Sequence, residues 1–130
     1  MARPGTAWVA PGGAHLEVAL EKGALRMRLV DGLPENSCRP SADVLFRSAV
    51  RALGGRVLGV VLSGMGFDGL RGCRAIREAG GTVLVQDEAT SVVWGMPGNV
   101  AEAGLAHKIL PIGQVGPEIV RVTTSGPQEG

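Results

Sequence analysis

The sequence is poor in several residue types on which common functions depend. Its 130 residues include two cysteines, two histidines, two tryptophans, two phenylalanines and no tyrosine. Without a His/Cys cluster at ligand spacing, a zinc site built by the protein is not expected. The few aromatic side chains are too sparse for a surface on which nucleic-acid bases stack. Cys38 and Cys73 lie far apart in the sequence, and both are predicted to be reduced thiols.

Excess charge and long hydrophobic runs are also missing. Thirteen basic and twelve acidic residues give a formal net charge of +1. Because these charges are scattered, neither nucleic acid nor an anionic membrane is an expected partner. No apolar stretch approaches the length of a membrane span, and the N-terminus lacks the basic region and apolar block of a secretory signal. The sequence therefore predicts one cytoplasmic domain without membrane insertion.

The first half of the chain predicts short strands followed by a helix. Residues 6–10 have the composition of a strand and end at a Pro-Gly-Gly breaker. Residues 14–30 predict a β-hairpin, because apolar residues recur at every second position on both sides of a central turn. After a polar loop, a helix is predicted over about 42–53, with Ser41 as its N-cap.

The second half of the chain has a different pattern. Residues 57–62 are a nearly continuous apolar run, which is typical of a parallel strand covered on both faces. The elements predicted after it are a helix over 69–79, a strand over 82–85, a helix from 97 to about 104, a strand over 107–110 and a short helix over 117–122. This alternation of strands and helices predicts an α/β fold with a mainly parallel sheet.

The loop between the apolar strand and the next helix contains a carboxylate, Asp68, among glycines. Loops at this end of a parallel strand are where open α/β sheets place their chemistry. An aspartate immediately before a helix is also a good N-cap, because it accepts N–H groups of the first turn. Alternatively, a buried aspartate here could orient a histidine that deprotonates a serine. Capping and catalysis are compatible, and both remain open from the residues alone.

The same loop has the spacing Gly64-x-Gly66-x-x-Gly69, which is the dinucleotide-binding fingerprint. Asp87 and Glu88 follow about 20 residues later, near where a ribose-binding acid is expected. The signal is weak by itself, because glycines in a tight strand-to-helix turn also serve packing and left-handed backbone geometry. A carboxylate beside the pyrophosphate would, moreover, repel it.

Five motif blocks occur together over nearly the whole chain. They are Ala10-Pro11-Gly12-Gly13 with His15-Leu16, Arg39-Pro40-Ser41 with Asp43-Val44-Leu45-Phe46, Ser63-Gly64-Met65-Gly66 with Asp68-Gly69, Gln86 with Glu88-Ala89-Thr90-Ser91, and Gly95-Met96-Pro97. In this order they resemble the C-terminal catalytic domain of the chemotaxis protein-glutamate methylesterases, the CheB family. The resemblance is far more specific than one glycine motif.

The resemblance implies both a fold and an activity. The fold is a mainly parallel, doubly wound (Rossmann-like) α/β sheet with an antiparallel hairpin. The activity is hydrolysis of methyl esters on receptor glutamates and deamidation of certain receptor glutamines, without a cofactor or a metal. The partners are then the methylated cytoplasmic domains of chemoreceptors.

The resemblance also assigns site residues. Asp68 matches the aspartate of the family's Ser-His-Asp triad. The lining of the active site and its oxyanion side is expected at Met65, Gly64 and Gly66, and the substrate groove at Arg39, Trp94 and Met96.

The sequence also departs from the family pattern. The family's serine lies in a Ser-Thr-Gly-Gly turn and its histidine in a Gln-His-Met segment, and neither segment occurs in the 130 residues. The chain is therefore predicted to be truncated on its N-terminal side, without the first strands of the family domain. Residues 1–124 are predicted to form a partial methylesterase domain, and residues 125–130 a flexible tail. The chain alone is expected to be inactive.

Residues within the chain are not expected to replace the missing pair. Ser63 lies outside a Gly-x-Ser-x-Gly elbow, and His15 and His107 belong to strand ends, so all three are predicted to be structural. A non-catalytic module that binds receptors or another partner is the alternative function, and a dinucleotide-binding domain is a distant one. To fill the gap in the sheet, residues 6–10 are expected to pair with 57–62, or the chain to self-associate until a fragment with the missing strands is supplied.

Overall fold

The structure, a computed structural model, describes residues 2–124. The predicted tail over 125–130 lies outside the described residues. In chain order, the elements are β1 (His15–Glu21), β2 (Ala24–Val30), α1 (Ala42–Leu53), β3 (Leu58–Val61), α2 (Leu70–Glu78), β4 (Thr82–Gln86), α3 (Gly95–Glu102), β5 (Lys108–Leu110) and α4 (Ile112–Thr124).

Strands β1 and β2 form the predicted antiparallel hairpin, with Glu21 opposite Ala24. The two residues between them, Lys22 and Gly23, have φ angles of 50° and 78°. Positive φ at both central positions is the signature of a type I′ turn, whose twist matches that of the strands. The hairpin packs on α1 through β1. It therefore places the start of β1 beside the N-terminal end of that helix.

Strands β3, β4 and β5 form a parallel sheet in that order. Helix α2 connects β3 to β4, and α3 connects β4 to β5. The buried core is formed by residues of β3, β4, α2 and α3 and by Leu105, which follows α3: Val61, Cys73, Ile76, Val83, Val85, Val100 and Leu105. The α/β fold predicted from the sequence, with a parallel sheet and a separate antiparallel hairpin, is confirmed.

The strand predicted over residues 6–10 is not formed. Trp8 and Val9 are instead exposed, by 50% and 90%. The segment is attached near its two ends, where the Ala2 N–H donates to the Leu25 carbonyl at 2.8 Å and the Gly13 N–H donates to the Arg39 carbonyl at 3.2 Å. Strand composition alone does not make a strand, because the ladder needs a partner. The expected pairing of this segment with residues 57–62 is therefore wrong.

The two C-terminal helices begin earlier than predicted. Helix α3 begins at Gly95, two residues before Pro97, and α4 begins at Ile112, with Pro117 inside it. The sequence predicts that each helix begins at its proline, because proline is favoured at the first helical position, but it is not required there. Within residues 2–124, no helix has the length and hydrophobicity of a bilayer span.

Candidate active site

The Asp68 carboxylate lies at the point where the N-terminal ends of α1 and α2 meet. Residue Asp68 is only 5% exposed to solvent. Five groups donate hydrogen bonds to it: the Ser41 hydroxyl at 2.7 Å, the Ala42 N–H at 2.7 Å, the Asp43 N–H at 3.1 Å, the Gly69 N–H at 3.1 Å and the Asn36 amide at 3.3 Å. The loop after β3 thus delivers a carboxylate to a helix that lies far away in the sequence.

Asp68 is a helix cap, but for α1 instead of the helix that follows it. The first N–H groups of α1, those of Ala42 and Asp43, have no acceptor within their own helix. Asp68 accepts both of them. The predicted cap Ser41 does occupy the N-cap position of α1, yet its side chain makes no capping bond and its hydroxyl donates to Asp68. Capping of α1 by the Ser41 side chain is therefore a wrong prediction.

A carboxylate of α1 in turn caps helix α2. Asp43, which is completely buried, accepts the Gly72 N–H in the first turn of α2 at 2.6 Å. Its other oxygen accepts the Asn36 amide at 2.7 Å. The two helices therefore exchange caps, and each carboxylate interacts favourably with the positive end of the other helix. No buried polar side-chain atom in residues 2–124 is left without a partner.

Hydrogen bonding keeps Asp68 ionised. Burial acts to raise the pKa of its carboxyl, but the hydrogen bonds from the Ser41 hydroxyl, the Ala42 and Asp43 N–H groups and the Asn36 amide together lower this pKa below its ordinary value. Donors that bind the charged form stabilise it. Asp68 therefore carries a negative charge at neutral pH.

A cavity of about 260 Å³ opens beside this carboxylate. It is lined by Ala10, Leu16, Pro40, Ser41, Ala42, Leu45 and Asp68. Four of the donors contact Oδ1 of Asp68, whereas within residues 2–124 Oδ2 accepts only the Ala42 N–H. A carboxylate oxygen has two lone pairs, so Oδ2 has room for one more donor. An imidazole N–H is a donor that such a buried aspartate holds in Ser-His-Asp sites.

The glycine-rich loop is fastened to the segment that leads into α3. The Gly64 N–H donates to the Val93 carbonyl, and the Met96 N–H donates to the Gly64 carbonyl, each at 2.8 Å. The Asn99 side-chain amide donates to the Gly66 carbonyl, also at 2.8 Å. These three hydrogen bonds fix the loop relative to α3. They bring the predicted site residues Gly64, Gly66 and Met96 together.

Close packing accounts for glycine at position 64, and backbone conformation accounts for it at position 66. A Cβ on Gly64 would lie 2.6 Å from the Met96 sulfur, and Gly66 has a φ of 101°, which other residues rarely adopt. Met65 between them is 79% exposed, and Phe67 is 65% exposed. The loop therefore presents two large apolar side chains to solvent. The role of Met65, Gly64 and Gly66 as active-site lining stays a prediction.

The predicted groove residues lie in two places. The Trp94 indole N–H donates to the Gln86 carbonyl at 2.9 Å, and a Cβ on Gly98 would meet its ring at 2.8 Å, so Trp94 braces the start of α3. Arg39 is exposed and donates to the Gly32 carbonyl at 3.1 Å. Its chain neighbour Pro40 lines the cavity beside Asp68. That these side chains contact substrate stays a prediction.

Sequence reasoning missed three polar residues that organise the site. Asn36 and Asp43 surround Asp68, as described above. Gln86, at the end of β4, accepts the Ser63 N–H at 2.8 Å and donates to the Thr90 carbonyl at 2.8 Å, which links two loops at one end of the sheet. Gln86 and Asp43 belong to the motif blocks, whereas nothing local distinguishes Asn36 from other loop residues.

The remaining candidate side chains, Ser63, His15 and His107, form hydrogen bonds with the backbone, and their purely structural role stays a prediction. The Ser63 hydroxyl accepts the Val93 N–H at 2.9 Å. His15 accepts the Ser41 N–H through Nδ1 at 3.2 Å and lies 2.9 Å from the Leu33 carbonyl through Nε2, which fits a neutral ring protonated at Nε2. His107 accepts the Val83 N–H through Nδ1 at 3.0 Å.

The two cysteines lie in different environments, with Cys73 buried and Cys38 partly buried. Both are free, and burial raises the pKa of the Cys73 thiol to about 12, so this thiol stays protonated. The described residues hold no group of three or more His, Cys, Asp or Glu side chains that could bind a metal ion. Asp87, an acid of the dinucleotide fingerprint, accepts the N–H and the hydroxyl of Thr90 at 3.0 and 2.6 Å, and so closes its own loop.

Comparison with known proteins shows related sequences in bacterial methylesterases. The chain is 61% identical to a protein-glutamate methylesterase/protein-glutamine glutaminase of Nocardioides sp. over 92% of this chain and 32% of that protein. It is 56% identical to the protein of the same name from Trichodesmium erythraeum, over 92% of this chain and 34% of that protein. The chain thus spans about a third of the length of these curated relatives.

A solved structure agrees with these relatives. The crystal structure of the Thermotoga maritima CheB methylesterase catalytic domain superposes with a TM-score of 0.86 at 32% identity, over 88% of this chain and 61% of that chain. The profile of the family described as CheB methylesterase matches residues 1–119. The match covers both the exchanged helix caps and the fastened glycine-rich loop. The chain therefore belongs to the CheB methylesterase family.

Proposed function

We propose that this chain supplies the carboxylate of a protein-glutamate methylesterase and protein-glutamine deamidase site that acts on chemoreceptors. The observation that carries the proposal is the Asp68 carboxylate, which is buried and ionised, lines a cavity, and accepts one hydrogen bond at Oδ2 from residues 2–124. The names of the relatives support the reaction. Membership of the family supports the assignment of Asp68, because it lies in the family's Ser-Gly-Met-Gly block.

In this reaction the carboxylate acts on a histidine. A serine hydroxyl attacks the ester carbonyl of a methylated glutamate while a histidine takes its proton, and methanol leaves after receiving that proton. Water then hydrolyses the acyl-serine. For a glutamine side chain the leaving group is ammonia. Asp68 would hold the imidazole through Oδ2 and stabilise the imidazolium as it forms.

The 130 residues contain neither a Ser-Thr-Gly-Gly nor a Gln-His-Met segment. In this proposal the serine and the histidine therefore come from outside these residues, and the chain alone does not turn over. Losing the nucleophile or the base of a triad lowers the rate by a factor of about 10⁶. A polypeptide carrying both segments would restore the site if it binds beside Asp68.

The test is methanol release from methylated receptor fragments. We expect none from the chain alone, and release after adding a family fragment with the serine and histidine segments. Asp68→Ala should abolish the restored activity, whereas Asp87→Ala, which removes a more exposed carboxylate from a neighbouring loop, should retain it. Turnover by the chain alone that Asp68→Ala abolishes would instead establish a triad within the 130 residues.

A second function, a non-catalytic module that binds receptors, is favoured by one observation. Met65 and Phe67 are large apolar side chains exposed by 79% and 65% on a loop held in place by hydrogen bonds. Exposed apolar groups of this kind are common at binding surfaces. If the fragment restores no hydrolysis, yet receptor fragments bind and Met65→Ser weakens binding, this function replaces the first.

A further inference from the structure

One side-chain amide lies between two buried carboxylates. The Asn36 Nδ2 group is 2.7 Å from Oδ2 of Asp43 and 3.3 Å from Oδ1 of Asp68. An asparagine amide has two hydrogens, and here each carboxylate can accept one of them. Two carboxylates so close would otherwise disfavour each other's charged form.

The backbone of the turn that contains Asn36 orients its amide towards the two carboxylates. Asn36 has a φ of 54°, in the left-handed region that asparagine tolerates better than most residues. The turn is closed by two backbone hydrogen bonds between Glu35 and Cys38, of 2.8 and 3.0 Å. The backbone thus directs the amide towards the helix ends while the residue itself remains at the surface.

An ion pair fixes the turn to α1. Arg47 donates to both oxygens of Glu35, at 2.5 and 2.7 Å. A two-bond arginine–carboxylate pair fixes orientation as well as distance. Because Arg47 lies one turn beyond Asp43 on α1, the amide of Asn36 is held in register with the helix end that Asp68 caps.

The charged groups near Asp68 come from several elements. Asp43 on α1 is the nearby negative charge, Glu35 of the turn is paired with Arg47 of α1, and Arg71 of α2 is close enough to act on Glu35. His15 reaches the site through the Ser41 N–H. Asn36 is the one side chain among residues 2–124 that donates to both carboxylates.

We propose that Asn36 is a positioning residue for Asp68. Its amide bridges the two buried carboxylates and adds one of the four hydrogen bonds to Oδ1 of Asp68, which together hold the carboxylate with Oδ2 as the less occupied oxygen for the incoming histidine. This inference rests on the proposed function only for the identity of the group that Oδ2 receives. The amide bridge between the two carboxylates is a property of the chain itself.

The test is a pH titration of the 130-residue chain with carboxyl-labelled aspartate, followed by carbon NMR. We expect Asp68 to titrate at higher pH in Asn36→Ala than in the wild type, because one donor to the charged form is lost. Asn36→Asp should raise the titration further, because a third carboxylate replaces the donor. Ser37→Ala is the matched control: Ser37 is the next residue, has a φ of 63°, and donates to neither carboxylate.

A purely structural role for Asn36 would not give this order. Aspartate keeps the size of asparagine and also tolerates the left-handed region, so Asn36→Asp remains informative even if Asn36→Ala loosens the turn. Titration of Asp68 at the wild-type pH in Asn36→Asp would overturn the proposal. With the complementing fragment, Asn36→Ala should lower kcat by about tenfold at unchanged KM, as expected for the loss of an interaction worth about 1.4 kcal/mol. If the wild type shows no hydrolysis there, the proposed function fails while the titration still decides the role of Asn36.

Discussion

A side chain that caps a helix, and for which we propose a catalytic role, has two separable effects when it is replaced. Asp68 accepts the first N–H groups of α1, that of Ala42 at Oδ2 and that of Asp43 at Oδ1. Asp68→Ala removes the acceptor and the charge together. Asp68→Asn keeps one acceptor oxygen and removes the charge. Comparing the two variants therefore distinguishes loss of structure from loss of chemistry.

The first effect is measurable as stability. We expect Asp68→Ala to lower the free energy of unfolding by about 3 kcal/mol, because buried N–H groups lose a charged acceptor. Asp87→Ala, whose carboxylate accepts from Thr90 near the surface, should lower it by less than about 1 kcal/mol. Urea denaturation at neutral pH measures both. Equal losses in the two variants would contradict the structural importance of Asp68.

The same carboxylate makes stability depend on pH. Its pKa is lower in the folded chain than its ordinary value, so its contribution is complete above that ordinary value. The contribution is lost as the pH falls through the folded pKa. The difference in stability between wild type and Asp68→Asn, which has no charge to titrate at this position, should therefore shrink on acidification. A difference that stays constant down to acid pH would contradict this account.

At the level of elements, the site depends on how closely α1 and α2 approach. A Cβ on Gly72 would lie 2.5 Å from Cβ of Phe46, so only glycine allows this contact. The Gly72 N–H also donates to Asp43, so the close approach and the exchanged cap occur at the same residue. Packing and hydrogen bonding thus fix the two helix ends relative to each other.

Gly72→Ala should therefore loosen the helix pair. We expect it to lower the free energy of unfolding by about 2 kcal/mol, since an added methyl in a packed interface forces side chains or backbone to move. Gly113→Ala is a control in α4, where a Cβ would meet nothing within 4 Å, and it should be neutral or slightly stabilising. Thermal unfolding followed by circular dichroism compares the two. A neutral Gly72→Ala would mean that the helices separate without loss.

At the scale of the whole molecule, the outer edge of strand β3 bears on how the chain associates. Strand β3 pairs with β4, and within residues 2–124 no strand pairs with its other edge. Leu62, directly after β3, is 43% exposed. An unpaired edge with apolar residues is a template for association with another chain, and proteins commonly protect such edges with charge.

We therefore expect the chain to self-associate through the edge of β3. In sedimentation velocity the apparent mass of the wild type should rise with concentration, and Leu62→Lys should suppress the rise. Val120→Lys introduces the same charge at an apolar residue of α4 that is 58% exposed, and it should leave the rise unchanged. Addition of the complementing fragment should likewise return the chain to a defined complex. A wild type that remains monomeric at every concentration would contradict the expectation.

The sequence by itself determined the α/β class, the hairpin, the order of the elements from α1 onwards and the family. Each of these is encoded locally: by residue periodicity, by turn residues such as Gly23, and by motif blocks that can be read without knowing any contact. The position of Asp68 among the glycines marks it as a candidate in the same way, while its catalytic role is implied by the family resemblance and stays a prediction. Residues 6–10 have the composition of a strand but do not form one. A strand depends on a pairing partner, which local composition does not reveal.

Only the tertiary structure decided what the site residues do. Asp68 caps a helix whose first residue lies 26 positions away, and Asn36 reaches it over 32 positions. Capping preferences are rules about neighbouring residues. They therefore predict Asp68 as the N-cap of α2 and Ser41 as the N-cap of α1. A buried carboxylate takes whichever donors the packed helices bring to it. Packing of α1 against α2 therefore decided which groups donate to Asp68, and that a loop asparagine is among them.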